Sequence, residues 1–273
     1  MGIDFGRGLH ARSGHSIDVA AYDGYIGRWS RLFVPAVLAA AEITRGDRVL
    51  DVGVGPGEAA LMALPIVEPS GCVIDLDISE PMLLAARSRI ASSSFRPVAA
   101  NGQALPFANA TFDAVVCQLS LQFFPDPATG LEEFRRVLRA GRCATVCTIC
   151  EPDRAPMWGI LADTLSRYLP TQREMLHLSF SLPIAERLEG MLRMAGFRDV
   201  AVARETRQGT IESFDDYWAD VEAGIGMMPQ AYLALSDTER RSVREEVHMQ
   251  LSKFEYGGGL VMSVDMLIGS GRA

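Results

Sequence analysis

VLDVGVGPGEAA, running from Val49 to Ala60, decides the fold. Val49, Leu50 and Val52 read as a short buried strand with Asp51 near its carboxyl end. Gly53, Gly55 and Gly57 follow, and Glu58 opens an alanine-rich helix. Glycines at this spacing let the chain turn sharply and approach a ligand closely, with a helix N-terminus just behind. Many nucleotide folds and some plain loops share the spacing, so the next segment decides its meaning. That segment is a second strand, Cys72 to Leu76, ending in Asp77-Ile78-Ser79. An acid about 20 residues beyond such a loop is placed to accept both ribose hydroxyls of an adenosine cofactor. A helix cap or a solvated loop acid is the plainer use of the same residue. No G-x-x-x-x-G-K-[ST] loop is present, so a triphosphate finds no lysine to hold it.

Working outward, strands and helices alternate at the length of βα units. The helix from Glu58 is expected to stop near Pro65. Ser79 is placed to cap a helix over Pro81 to Ile90, whose Met82, Leu83, Ala86 and Ile90 make an inward face. Phe95 to Ala100 reads as a third strand, and Phe112 with Ala114, Val115 and Val116 as a fourth. Gln118, Leu119 and Ser120 then occupy the carboxyl end, where open sheets hold ligands. Asp126-Pro127 starts a helix over Ala128 to Arg139, and Arg142 to Ile149 gives a fifth strand. Such alternation means an open parallel sheet with helices on both faces. Beyond Cys150 the pattern loosens. Leu182 to Met194 is helical, Val200 to Ala203 is a sixth strand, Ile211 to Tyr256 is largely helical, and Leu260 to Leu267 forms a final strand.

Laid together, these segments resemble the class I methyltransferases that use S-adenosylmethionine. VLDVGVGPG, VIDLDIS followed by PMLLAA, NGQALPFANATFDAVVCQLSLQFFPDP and EEFRRVLRAG stand in that family's order and spacing. They are most similar to the branch of quinone-methylating and small-molecule enzymes, over Tyr22 to Thr148. The resemblance implies an α/β fold: an open, seven-stranded, mostly parallel sheet, its last strand antiparallel and preceded by a helical insertion. It implies S-adenosylmethionine as cofactor, held by Asp51, Gly53, Gly55, Gly57, Asp77, Ile78, Asn101, Gly102 and Gln118. Tyr22-Asp23 matches a Tyr-Asp pair of the family, which implies that Tyr22 reaches the methionine carboxylate and that Arg28 pairs with it. Three departures stand out: Val54 and Pro56 where Cys and Thr are commoner, and Asn101 where an acid is usual. None removes a glycine.

Composition narrows the partners. A net charge of −8 argues against nucleic acid, whose phosphates demand concentrated Lys and Arg. No apolar run has the length of a membrane span, and Met1 to Ile17 carries Asp4, Arg7, His10, Arg12 and His15 instead of an apolar signal core. A cytoplasmic protein, monomer or homodimer, is expected, with a mobile tail over 1–16 and a single domain over 17–273. The five cysteines are too few and too apolar in setting for a disulfide framework. Cys147 and Cys150 have C-x-x-C spacing, but they end an apolar strand with no second ligand pair nearby, so no metal site is expected.

Methyl transfer needs alignment and dryness more than it needs acid–base machinery. For a phenol or enol acceptor a base is useful, and His177 is the one histidine in the middle of the chain; a surface or capping histidine is equally ordinary. The N-terminal helix, 17–41, presents Tyr22, Tyr25, Ile26, Trp29 and Phe33 at spacings that share a face. It reads either as cover for the sheet or as a cap on the cofactor. The 211–256 insertion carries Phe214, Tyr217, Trp218, Ile225, Met227 and Met228, which suits a roof over an apolar acceptor pocket or simple packing. Three rivals to a small-molecule methyltransferase stay open: a nicotinamide dehydrogenase, a non-catalytic S-adenosylmethionine-binding scaffold, and a macromolecule methyltransferase.

Overall fold

A computed structural model describes residues 18–273, so the 1–16 tail, with His10 and His15, lies outside the described residues. Eight strands form one sheet: β1 Arg48–Val52, β2 Cys72–Asp77, β3 Phe95–Ala99, β4 Phe112–Gln118, β5 Leu138–Ile149, β6 Arg198–Ile211, β7 Glu255–Tyr256 and β8 Gly259–Arg272. Their order is β3-β2-β1-β4-β5-β8-β6, with β7 hydrogen-bonded to β8 alone. The first five run parallel, and β8 is antiparallel to both β5 and β6. The seven-stranded path expected from the sequence is present. The additional strand, β7, is a two-residue hairpin arm, turned by Gly257 (φ 62°) and Gly258 (φ 90°), which brings Tyr256 opposite Gly259 on β8.

Alternation along the central strands fills both faces. Val49, Val73, Ala114 and Val116 belong to one buried cluster, which also takes in the N-terminal helices and the insertion. Leu50, Val52, Ile74, Leu76 and Val115 point into the other, under Leu131, Phe134 and Leu188. A parallel sheet needs such cover on both sides. Strand order reverses between β1 and β4, and that switch point fixes where a crevice opens.

Several boundaries differ from the sequence expectation. The helix Glu58–Val67 runs through Pro65, because burial of Ala63, Leu64 and Val67 holds its last turn despite the missing N–H. The N-terminal segment is not one helix. It comprises Val19–Tyr22, a π-helical turn Asp23–Gly27, Arg28–Ser30 and Val34–Ala40. The sixth strand has 14 residues where four were expected, since an edge strand bearing Arg204, Glu205 and Arg207 shows little apolar alternation. The insertion holds the helices Phe214–Glu222, Met227–Leu233 and Asp237–Leu251. Ser213 caps the first through Asp216 N at 3.1 Å, and Ser236 with Glu239 forms a capping box on the third. No helix among the described residues is long and apolar enough to cross a membrane.

Candidate functional site

The carboxyl ends of β1 to β5 open on a cavity of about 490 Å³. Eight of the residues expected at the cofactor line it: Tyr22, Gly53, Gly55, Asp77, Ile78, Asn101, Gly102 and Gln118. Gly55 has φ 55°, and a Cβ there would stand 3.0 Å from the Tyr22 hydroxyl, so the loop and the N-terminal helix touch where any side chain would intrude. A Cβ on Gly53 would lie 1.9 Å from Ser120 Oγ. The Asp77 carboxylate is set by two amides: Gly55 N donates to Oδ2 at 3.1 Å and Ser79 N to Oδ1 at 2.8 Å. On the far side, Gln118 Nε2 donates to Ser30 O at 2.7 Å and ties the end of β4 to the N-terminal helices. Asn101 Oδ1 accepts from Gln103 N at 2.9 Å and shapes the turn after β3. A glycine cradle, an oriented acid and a roomy cavity fit an adenosyl cofactor.

Behind the loop lies an unexpected acid cluster. Asp51 and Asp75 are register partners on β1 and β2, both buried. Among the described residues, neither oxygen of Asp75 and not Oδ2 of Asp51 has a hydrogen-bond partner. Burial first, and then the neighbouring Asp77 charge, pushes Asp51 up to about 7. Burial likewise raises Asp77 to about 6 against the pull of its amide donors, and raises Asp75 well above the usual carboxylate range. Asp75 was missed in the sequence, where an alternating strand gives no sign that an acid points inward beside another.

Four expected residues stand away from the cavity. Asp51 lies buried within β1, and Gly57, at φ 92°, holds the N-cap position of the helix Glu58–Val67. Arg28 follows the π turn and leaves the Tyr22 face, pairing with Asp220 of the insertion at 3.3 Å. His177 ends the short helix Arg173–Leu176 and folds back on the neighbouring Pro156–Tyr168 helix, its Nε2 2.9 Å from Asp163 Oδ1. The lining residue from that loop is Ser179 instead.

The opposite wall comes from the N-terminal helices, the Pro156–Tyr168 helix and the insertion. Tyr25, Ile26, Trp158, Met227 and Met228 line it, with Ile149 from the end of β5 and Gln122 from the 3₁₀ turn Leu121–Phe123. Trp158 Nε1 donates to Tyr25 O at 3.2 Å, which fixes the π turn against this wall. Met227 and Met228 were expected here. Phe214, Tyr217, Trp218 and Ile225 do not reach the cavity and pack in the core behind it, with Trp218 edge-on to Tyr232 at 5.0 Å. Gln122 gave no sequence signal, being one polar residue in an irregular turn. A charge network joins the N-terminal segment to the glycine loop: Arg89 meets Glu58 at 2.6 Å, donates to Pro56 O at 2.9 Å and pairs with Asp23 at 3.7 Å, while Arg31 pairs with Glu58 at 3.8 Å.

Residues 50–144 match a family model described as a methyltransferase domain. The ubiquinone/menaquinone biosynthesis C-methyltransferase UbiE of Xanthomonas axonopodis pv. citri is 32% identical over 184 residues, covering 62% of this chain and 71% of that protein. A demethylmenaquinone methyltransferase of Corynebacterium kroppenstedtii is 31% identical over 166 residues, covering 57% and 69%. Among solved structures, the phosphoethanolamine N-methyltransferase 2 of Haemonchus contortus with S-adenosyl-L-methionine superposes with a TM-score of 0.58 at 18% identity. That match covers 93% of this chain and 56% of the other, and it shows likeness of fold alone.

Proposed function

The chain belongs to the class I S-adenosylmethionine-dependent methyltransferases, related to the quinone-methylating branch, and from that premise we propose that its acceptor is a neutral, largely apolar ring compound of the quinol kind. It is an enzyme that methylates a small molecule with S-adenosylmethionine as donor. The observation that carries the acceptor class is the charge of the cavity wall. Among the described lining residues there is no Lys, Arg or His, and the one acid is Asp77, on the β2 side. A phosphate or ammonium at the Trp158–Met228 side would be buried without a counter-charge, at a cost of several kcal/mol. This opposes a phosphoethanolamine-like acceptor and favours a ring with uncharged oxygens.

In this reading Asp77 accepts the two ribose hydroxyls, Gly53 and Gly55 let the cofactor lie against the loop, and Tyr22 covers it. Asn101 and Gly102 border the adenine, with Ile78 beside it, and Gln118 holds the roof closed through Ser30 O. When bound, the cofactor would supply a methyl group activated by its sulfonium for the acceptor's nucleophile. The chain aligns the two and keeps water out. Tyr25 is no base here, because burial pushes its phenol well above the ordinary value, and His177 stands elsewhere. The acceptor therefore brings its own acidity, as a quinol hydroxyl does. The working form is a cytoplasmic monomer or homodimer without a nucleic-acid partner, consistent with a charge of −8. Residues 18–273 act as one domain, with 18–41 and 211–256 as its lid. The test offers methyl-labelled S-adenosylmethionine with naphthalene-1,4-diol, kept reduced, or with phosphoethanolamine. Label is expected in the diol; label in phosphoethanolamine alone rejects the reading.

A further inference from the structure

Two buried polar side chains on the acceptor wall have no hydrogen-bond partner among the described residues. Gln122 is 2% exposed, and neither its Nε2 nor its Oε1 has a hydrogen-bond partner. Tyr25 is 5% exposed, and its hydroxyl is likewise without one. Both residues line the cavity, from different elements: Tyr25 from the π turn Asp23–Gly27, Gln122 from the 3₁₀ turn after β4. Their backbones are fixed, since Gln122 O accepts from Ser181 Oγ at 2.9 Å and Tyr25 O accepts from Trp158 Nε1. Buried amides and phenols are normally paired, and an unpaired one needs a reason. A π-helical turn inside a helix is itself a frequent mark of a functional position.

We propose that Gln122 and Tyr25 are the specificity-determining residues of the acceptor site, hydrogen-bonding the uncharged oxygens of the ring compound while Ile26, Ile149, Trp158 and Met228 take its apolar surface. The amide carries both a donor and an acceptor, and the phenol serves as either. The pair therefore accommodates a carbonyl or a hydroxyl and discriminates against hydrocarbon, whose binding leaves both groups unsatisfied. A site built to bond an oxygen rejects the analogue lacking it far more strongly than an apolar pocket rejects a missing methylene.

This rests on the acceptor class proposed above, and the experiment separates the two. The full-length protein is saturated with S-adenosylhomocysteine, and binding of 2-methyl-1,4-naphthoquinone and of 2-methylnaphthalene is measured by equilibrium dialysis. The wild type is expected to bind the quinone at least tenfold more tightly than the hydrocarbon. Gln122→Met and Tyr25→Phe, both near in shape to the native residue, are each expected to remove at least threefold of that preference. They should leave 2-methylnaphthalene and S-adenosylhomocysteine binding within twofold of wild type. A wild type with no preference for the quinone overturns the proposal, as do variants that keep the preference or weaken both ligands alike. Failure of the wild type to hold S-adenosylhomocysteine defeats the cofactor reading instead. Transfer of label to phosphoethanolamine alone in the assay above defeats the acceptor class.

Discussion

The two walls of the cavity are built on different principles. The β1–β3 wall is main-chain architecture: a strand end, a glycine turn and an acid fixed by the amides of Gly55 and Ser79, all within 30 residues. The β4–β5 wall is side-chain architecture, with Tyr25, Gln122, Ile149, Trp158 and Met228 gathered from five separate segments and held by core packing. Damage to the first is expected to remove a ligand and spare the fold. Damage behind the second is expected to loosen the fold and spare the cofactor.

Gly55→Val gives the largest expected effect. At φ 55°, with the Tyr22 hydroxyl 3.0 Å from any Cβ, a branched side chain displaces either the loop or the helix. Calorimetry should find S-adenosylmethionine binding weakened about a hundredfold or more, equivalent to roughly 2.7 kcal/mol. Affinity within threefold of wild type means the loop does not approach the cofactor. Asp77→Ala comes next. It removes two charge-assisted hydrogen bonds of about 1.5–3 kcal/mol each, so affinity falls at least tenfold while the melting temperature holds. Because the same contacts serve both forms, S-adenosylhomocysteine should weaken in step.

That wall was legible because its residues must be glycine or acid at fixed spacing, and spacing survives in a sequence. The other wall was not. Gln122 sits in an irregular turn, and Arg28, which the resemblance set beside the cofactor, follows a π turn and pairs with Asp220. His177 looked available because it is rare, whereas Asp163 occupies it. Of the aromatic residues in the insertion, periodicity identified the buried face but not which part of that face meets the cavity. Phe214, Tyr217 and Trp218 go to the core, and Met227 and Met228 reach the ligand side.

Trp218→Ala probes that division. The indole is 2% exposed and packs against Phe214 and Tyr232, so truncation is expected to cost about 3–5 kcal/mol and on the order of 10 °C in Tm. Cofactor affinity of the folded fraction should stay within threefold. A stable variant that loses acceptor turnover alone would return Trp218 to the pocket.

pH separates fold from function on the β1–β3 wall. Asp51 and Asp77 titrate near 7 and 6 in the fold, above the ordinary carboxylate value near 4. Across that window the folded protein holds protons the unfolded chain has released, so their contribution to stability declines as pH rises from about 4 to about 7. Cofactor binding runs the other way, because the ribose hydroxyls need the Asp77 carboxylate and lose it as pH falls through about 6. Melting curves and calorimetry on one pH series should therefore slope in opposite directions; parallel slopes would remove Asp77 from the ribose contact. The smallest effect belongs to Arg89→Met, which removes a partly exposed pair with Glu58. A twofold to threefold loss of cofactor affinity that vanishes at high salt is expected.

The division of the cavity is tested most directly by a crystal structure with S-adenosylhomocysteine and 2-methyl-1,4-naphthoquinone bound together. The account predicts the ribose against Asp77, the homocysteine sulfur facing the β4–β5 side, and the quinone ring between Trp158 and Met228 with its oxygens at Gln122 and Tyr25. A ribose placed away from Asp77, or a cofactor that fills the Trp158–Met228 side itself, would contradict it.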